Sequence, residues 1–234
     1  MPAAPLPPNE SARLEALRRY DILDSTPESV FDDLVYLATF VTGSPMATFS
    51  LIDTDRQWFK SQIGLANQQT SRDVAFCAYT ILQDEMLVVP DATQDPRFAD
   101  NPLVVDDPGI RFYAGVPVRS REGMNIGSVC VIDHQARRAL LDHQRLALEA
   151  IARQAATLLE LRRTASELAA VMRDVRLLSA LVPICSICRR YREGDSHWMT
   201  AEEKMRSVGA ELTHGLCPDC FRSNYPEYAD RLNR

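Results

Sequence analysis

The sequence predicts an α+β protein carrying a small metal-stabilised unit at its C-terminal end. Three observations carry that reading. Two segments of helical period come first, segments rich in aromatic and β-branched residues follow up to about position 140, and an unbroken helical pattern then runs from Leu140 to about Leu181. Beyond it lie two Cys-x-x-Cys pairs. With 234 residues, 46% hydrophobic and 25% charged, the chain can bury one full core and still supply a second, smaller unit.

The first segment, MPAAPLPPNE, has neither a basic start nor an apolar stretch of export length, so residues 1–8 are expected to be a disordered, proline-rich leader. No run approaches the roughly 18 apolar residues that a membrane span requires. A cytoplasmic location is expected, where thiols stay reduced and paired cysteines suggest metal or redox chemistry before structural disulfides. The net charge of −6 argues against a polyanionic partner such as nucleic acid.

Glu10 to Leu23 keeps Leu14, Leu17 and Tyr20 at helical spacing, with Asn9 or Ser11 as caps. A Thr-Pro-Glu start at Thr26 opens a second helix that Gly43 ends. PMATFSLID and RQWFKSQIG, joined by the polar turn Asp53 to Asp55, read as a hairpin. Further strands are expected at MLVVPD, RFYAGVPVRS and NIGSVCVID, the last two joined by REGM. In the final strand Ile126, Cys130 and Ile132 alternate with Val129 and Val131, so neither face is polar and the sheet is expected to be covered on both sides. The long irregular segment ATQDPRFADNPLVVDDPGI reads as a binding loop or lid.

Taken in order, NESARLEALRRYDILDSTPESVFDDLVYLA, LIDTDRQWFKSQIGL, FCAYTI, VVPDATQDPRFADNPLV, GIRFYAGVPV and GSVCVID resemble the GAF domain of bacterial signalling proteins. The likeness runs over roughly residues 9–165. It implies an antiparallel sheet with helices on one face and, on the other, loops that enclose a small ligand. The expected domains are therefore a GAF domain at 9–140, a long coiled-coil helix at 141–182 and a four-cysteine module at 183–234. Because one scaffold hosts many ligands, function has to come from sites.

Trp58, Phe59, Phe98, Phe112 and Tyr113 are candidates to line the pocket, with Asp91 and Arg111 supplying polar groups that orient an unidentified small molecule. The competing reading, which weighs more, is that the aromatics are packing and the two charges pair at the surface. Cys77 and Cys130 are further candidates, since some GAF proteins resemble free methionine sulfoxide reductases that use thiols. Their apolar neighbours argue instead for inert, core cysteines with raised pKa values. Relatives that attach a bilin carry histidine after the attachment cysteine, and here Ala78 follows Cys77, so no covalent bilin is expected.

On a seven-residue grid the long helix places Ile151, Leu158, Ala165 and Met172 in one column and Leu161, Leu168, Val175 and Val182 in the other. Such a helix resembles the signalling helices through which GAF proteins dimerise. Its first third is expected to pack on its own domain, and the rest to pair with a second copy in parallel.

Cys185 and Cys188 are followed after 28 residues by Cys217 and Cys220. Two such pairs present four thiolates to one tetrahedral zinc, although an iron–sulfur cluster takes the same donor set. Haem attachment is excluded because Arg189 and Phe221, not histidine, follow the pairs. A thioredoxin-type pair needs a βαβ scaffold that is not readable nearby. His214 is a possible supporting or substitute ligand and His197 a surface residue. Residues 181–234 carry eight Lys or Arg and eight Asp or Glu, which is no basic excess for nucleic acid.

These readings lead to a sensor or adaptor that is not itself an enzyme, with no catalytic residue assigned. It would perceive a small molecule or redox condition, and pass it through a homodimeric helix and a zinc-bound tail to a protein partner. A thiol enzyme using Cys77, Cys130 or the tail pairs is the alternative.

Overall fold

The computed structural model describes residues 2–179, 185, 187–193, 197–207, 209, 220 and 223–227. The chain divides into two compact units, Met1–Ala169 and Ala170–Arg234.

Helix α1 (Glu10–Arg18) begins after Asn9, with Glu10 in its first turn and Arg18 in its last, the arrangement the helix dipole favours. Its apolar period continues to Leu23, yet the helix stops earlier. Asp21 and Asp24 take φ values of 45° and 58°, a left-handed bend that aspartate tolerates, while Tyr20 and Ile22 still reach the core. Helix α2 (Ser29–Thr42) ends where expected, at Gly43, whose φ of 63° is open to glycine without strain.

Six antiparallel strands follow: β1 (Met46–Ile52), β2 (Arg56–Ile63), β3 (Gln69–Ser71), β4 (Leu87–Val89), β5 (Phe112–Arg119) and β6 (Asn125–Asp133), in the order β3-β2-β1-β6-β5-β4. The predicted hairpin is β1–β2. Short helices α3 (Phe76–Thr80) and α4 (Pro102–Val105), both absent from the periodicity reading, lie between strands, α4 inside the irregular segment.

The sheet separates two apolar layers. Ala47, Phe49, Leu51, Phe112, Ala114, Val129 and Val131 pack against α1, α2 and helix α5 (Asp142–Ser179). Met46, Ile52, Tyr113, Cys130 and Ile132 face α3 and the loops. Both faces are thus covered, as the absence of a polar face predicts. Ile126 breaks the alternation. Val118 pairs with Gly127 and Arg119 with Asn125, so Ile126 is the extra residue of a bulge and turns to the helix layer, away from Cys130 and Ile132.

A buried ion cluster ties α1 to the β1–β2 turn. Arg13 donates to both Glu10 carboxylate oxygens and to the Ile52 carbonyl, and Arg72 donates to Glu10 and to the carbonyls of Asp53 and Thr54. Burial raises the Glu10 carboxyl, but the hydrogen bonds and charges of the two guanidinium groups outweigh it and hold it down at about 2.

The segment 1–8, expected as a disordered leader, touches the second layer at two described residues. The Pro2 carbonyl accepts a 2.8 Å bond from the Tyr79 hydroxyl, and Ala4 packs on that core.

In α5, Leu148, Ile151, Ala152, Ala155 and Leu159 are buried against the helix layer. Arg162 then donates to the carbonyls of Tyr20 and Asp21 and to Glu28. Past this point the apolar side chains Leu168, Val171, Met172 and Val175 are all more than half exposed. Val182, the last seam position, lies outside the described residues. Among the described residues no helix is long and apolar enough to cross a membrane.

The second unit contains the antiparallel hairpin β7 (Tyr191–Glu193) and β8 (His197–Met199), followed by α6 (Ala201–Ser207).

Candidate functional site

A cavity of about 270 Å³ lies on the sheet face opposite α1, α2 and α5. Its wall is Phe59 from β2, Phe76 and Cys77 from α3, Tyr113 from β5 and Ile132 from β6. Leu103, Asp107, Pro108 and Ile110 close it from the irregular segment read as a lid. Gln57, Asn67, Thr70 and His134 add polar groups, and the buried Thr70 hydroxyl has no hydrogen-bond partner among the described residues. An apolar wall with a few convergent polar groups is the makeup of a small-molecule site.

Of the candidates named from the sequence, Phe59, Cys77 and Tyr113 reach this wall. Trp58 and Phe112 do not, because each is next in its strand to a wall residue and so faces the helices. Phe98 stacks on Phe76 with ring centroids 4.0 Å apart, behind the wall. Asp91 accepts bonds from the backbone and hydroxyl of Thr93, and Arg111 donates to the carbonyls of Val104 and Ile110. Both charges therefore shape loops rather than line the cavity. The missed positions had a signal in places: Gln57 alternates with Phe59, and Ile132 with Cys130. Asn67 and His134 had none, since loops bring them in, and Thr70 had none because β3 is too short to read.

Beneath the wall lies a buried polar floor. The Tyr113 hydroxyl is 2.6 Å from Thr80 Oγ1 and donates to Cys77 Sγ at 3.4 Å. Cys77 Sγ is 3.7 Å from Cys130 Sγ, which is 3.1 Å from Thr48 Oγ1. The Ser50 and Ser128 hydroxyls meet at 3.5 Å on the same face. Burial raises the Cys77 thiol, but the polar groups around it, Cys130, the Ser128 and Ser50 hydroxyls and the donating Tyr113 hydroxyl, outweigh burial and lower it. The hydrogen bond to Cys77, together with burial, pushes Cys130 up. Apolar neighbours were expected to quiet both thiols. Burial acts that way on both, and at Cys77 it is opposed by polar groups that arrive from other strands.

The GAF domain family model matches residues 26–159. The chain belongs to the GAF domain family. A cyclic di-GMP phosphodiesterase of Pseudomonas aeruginosa is 42% identical over 153 residues, covering 65% of this chain. The chain spans only 26% of that relative's length. The relative is named for an enzymatic activity, and this overturns the expectation that the protein is not an enzyme. Among solved structures, the GAF domain of an Acinetobacter phosphoenolpyruvate-protein phosphotransferase is 17% identical, with a TM-score of 0.48, over 67% of this chain and 98% of that one. A type II free methionine-R-sulfoxide reductase of Thermoplasma acidophilum is 16% identical, with a TM-score of 0.47, over 56% of this chain and 90% of that one.

Outside the GAF domain, the candidate metal ligands are Cys185, Cys188, Cys217 and Cys220. Cys217 and His214 lie outside the described residues. Cys185 and Cys188 sit on one tight turn: the Cys185 amide donates to the Arg190 carbonyl at 2.8 Å, the Arg189 amide donates back to Cys185 at 3.0 Å, and Arg189 takes a φ of 60°. The backbone amides of Cys188 and Ile187, then the Cys188 thiol, lower the Cys185 thiol. Donors aimed at one sulfur favour its thiolate, so this turn fits half of a four-thiolate site. Among the described residues no three potential ligands converge.

Proposed function

We propose that this GAF domain is the sensory part of a bacterial signalling protein, in which occupancy or redox state of the cavity is passed to α5. The observation that supports it most is the placement of neighbouring residues. Tyr113 and Ile132 line the cavity, while Phe112 and Val131, their neighbours on β5 and β6, belong to the layer packed on α5. A shift of either strand is felt on both faces, because close-packed interiors transmit displacement.

In this reading α5 pairs with a second copy through its exposed apolar positions, and the four-cysteine tail binds zinc and meets a protein partner. The protein works in the cytoplasm, within cyclic di-GMP signalling as its Pseudomonas relative is named. A second reading, thiol chemistry on a small oxidised substrate, is favoured by the 3.7 Å approach of Cys77 to Cys130.

The test is thermal unfolding of the full chain against a panel of nucleotides, amino acids and heterocycles. A bound ligand at 100 times its Kd stabilises by about 2.7 kcal/mol, and the rise in Tm is expected to vanish in Asn67→Trp, which fills the exposed mouth. If no compound raises Tm, or Asn67→Trp responds as the parent does, the cavity is not the sensory site.

A further inference from the structure

We propose that Cys77 and Cys130 are a dithiol that a hydroperoxide entering the cavity oxidises to a disulfide, locking α3 to β6. The inference rests on the cavity reading in one respect only, the access it gives to Cys77.

Geometry supports each step. Cys77 lines the cavity although its residue is only 1% exposed, and the cavity volume is several times that of a small peroxide, water occupying about 30 Å³. Cys130 is fully buried directly behind it, at 3.7 Å between sulfurs. A disulfide needs about 2.05 Å, so closure asks for a movement of roughly 1.6 Å, within reach of side-chain rotation. The two residues stand 53 positions apart, on elements that a bond would cross-link. The hydrogen bonds that converge on Cys77 favour its thiolate, the form that attacks, while Cys130 stays a thiol.

The chemistry balances. The Cys77 thiolate attacks one peroxide oxygen, the O–O bond breaks, and the displaced alkoxide takes a proton from solvent and leaves as the alcohol, or as water from hydrogen peroxide. Cys77 is now a sulfenic acid. Cys130 attacks that sulfur, the S–S bond forms, the S–O bond breaks, and the hydroxide departs as water with the Cys130 proton. Two thiols have lost two electrons and the peroxide has gained them. The Tyr113 hydroxyl, bonded to both Thr80 and Cys77, is directly affected when Cys77 moves, which carries the change into β5.

The experiment uses the reduced full chain, treated with hydrogen peroxide, alkylated, and digested without reductant for mass spectrometry, which separates this pair from the tail cysteines. The expected product is a Cys77–Cys130 linked peptide two hydrogens lighter, restored by dithiothreitol. In Cys130→Ser, dimedone is expected to label Cys77, and in Cys77→Ser oxidation of Cys130 is expected to slow at least tenfold. Circular dichroism of both variants confirms folding. The proposal is overturned if Cys77 remains alkylatable, or passes to sulfinic acid with no link to Cys130. A link formed in protein that no ligand stabilises supports the dithiol and sinks the ligand reading; ligand binding with no link does the reverse.

Discussion

A Cβ on Gly115 would lie 2.2 Å from the Tyr113 hydroxyl, which fills the space beside the glycine on its way to Thr80. The absence of a side chain at 115 is therefore what allows the floor of the cavity to exist. Gly115→Ala is expected to destabilise the GAF domain by about 1–3 kcal/mol, the usual cost of overpacking. Tyr113→Phe is expected to cost about 1 kcal/mol for its lost hydrogen bonds. The double variant should cost less than the sum, since both changes act on one contact. Denaturant titration of the three variants checks this.

The Glu10 cluster makes a pH prediction. Its carboxyl is held at about 2, below its ordinary value of 4.5, so its contribution is complete above about pH 4.5 and is lost as pH falls towards 2. Glu10→Gln is expected to cost about 1.5–3 kcal/mol at neutral pH, because Arg13 and Arg72 keep their buried charge and lose its partner. Urea midpoints of parent and variant should converge between pH 4.5 and 2. Parallel curves would contradict the assignment.

Much of the architecture was legible because it is written in local periodicity. The α2 stop at Gly43, the β1–β2 hairpin and α5 all follow from short-range pattern. The short elements β3, α3 and α4 are not so written, since three to five residues hold too little period to read and tertiary packing decides them. The cavity wall was legible in part. Trp58 and Phe59, or Phe112 and Tyr113, cannot both face one pocket, and strand alternation alone forbids it. Which of each pair faces the pocket depends on register, which the sequence does not show. The meeting of Cys77 with Cys130 depends on sheet order and leaves no local trace.

For the long helix, Leu168→Asp with Val175→Asp is expected to convert a dimer to a monomer in analytical ultracentrifugation while Tm of the GAF domain changes by less than 2 °C or so, since surface changes cost within about 0.5 kcal/mol. Leu159→Asp, at a buried position, is expected to unfold the domain instead.

For the tail, chelation is expected to release one zinc per chain and to abolish the β7–β8 hairpin and α6, because metal binding in so small a unit contributes on the order of 10 kcal/mol. Cys188→Ser should weaken retention of the metal through dialysis. Full retention by that variant would remove Cys188 from the ligand set.

The central claim, that a small-molecule cavity on one sheet face is coupled to a helix on the other, is tested most directly by hydrogen exchange along α5. Exchange is measured in the full chain with the cavity free and with a compound that raises Tm. The account predicts altered protection in Leu148–Leu159, across the sheet from the cavity, and none in Asn67→Trp. Protection changes confined to β2, α3 and the loop at 103–110, with α5 unmoved, would contradict it.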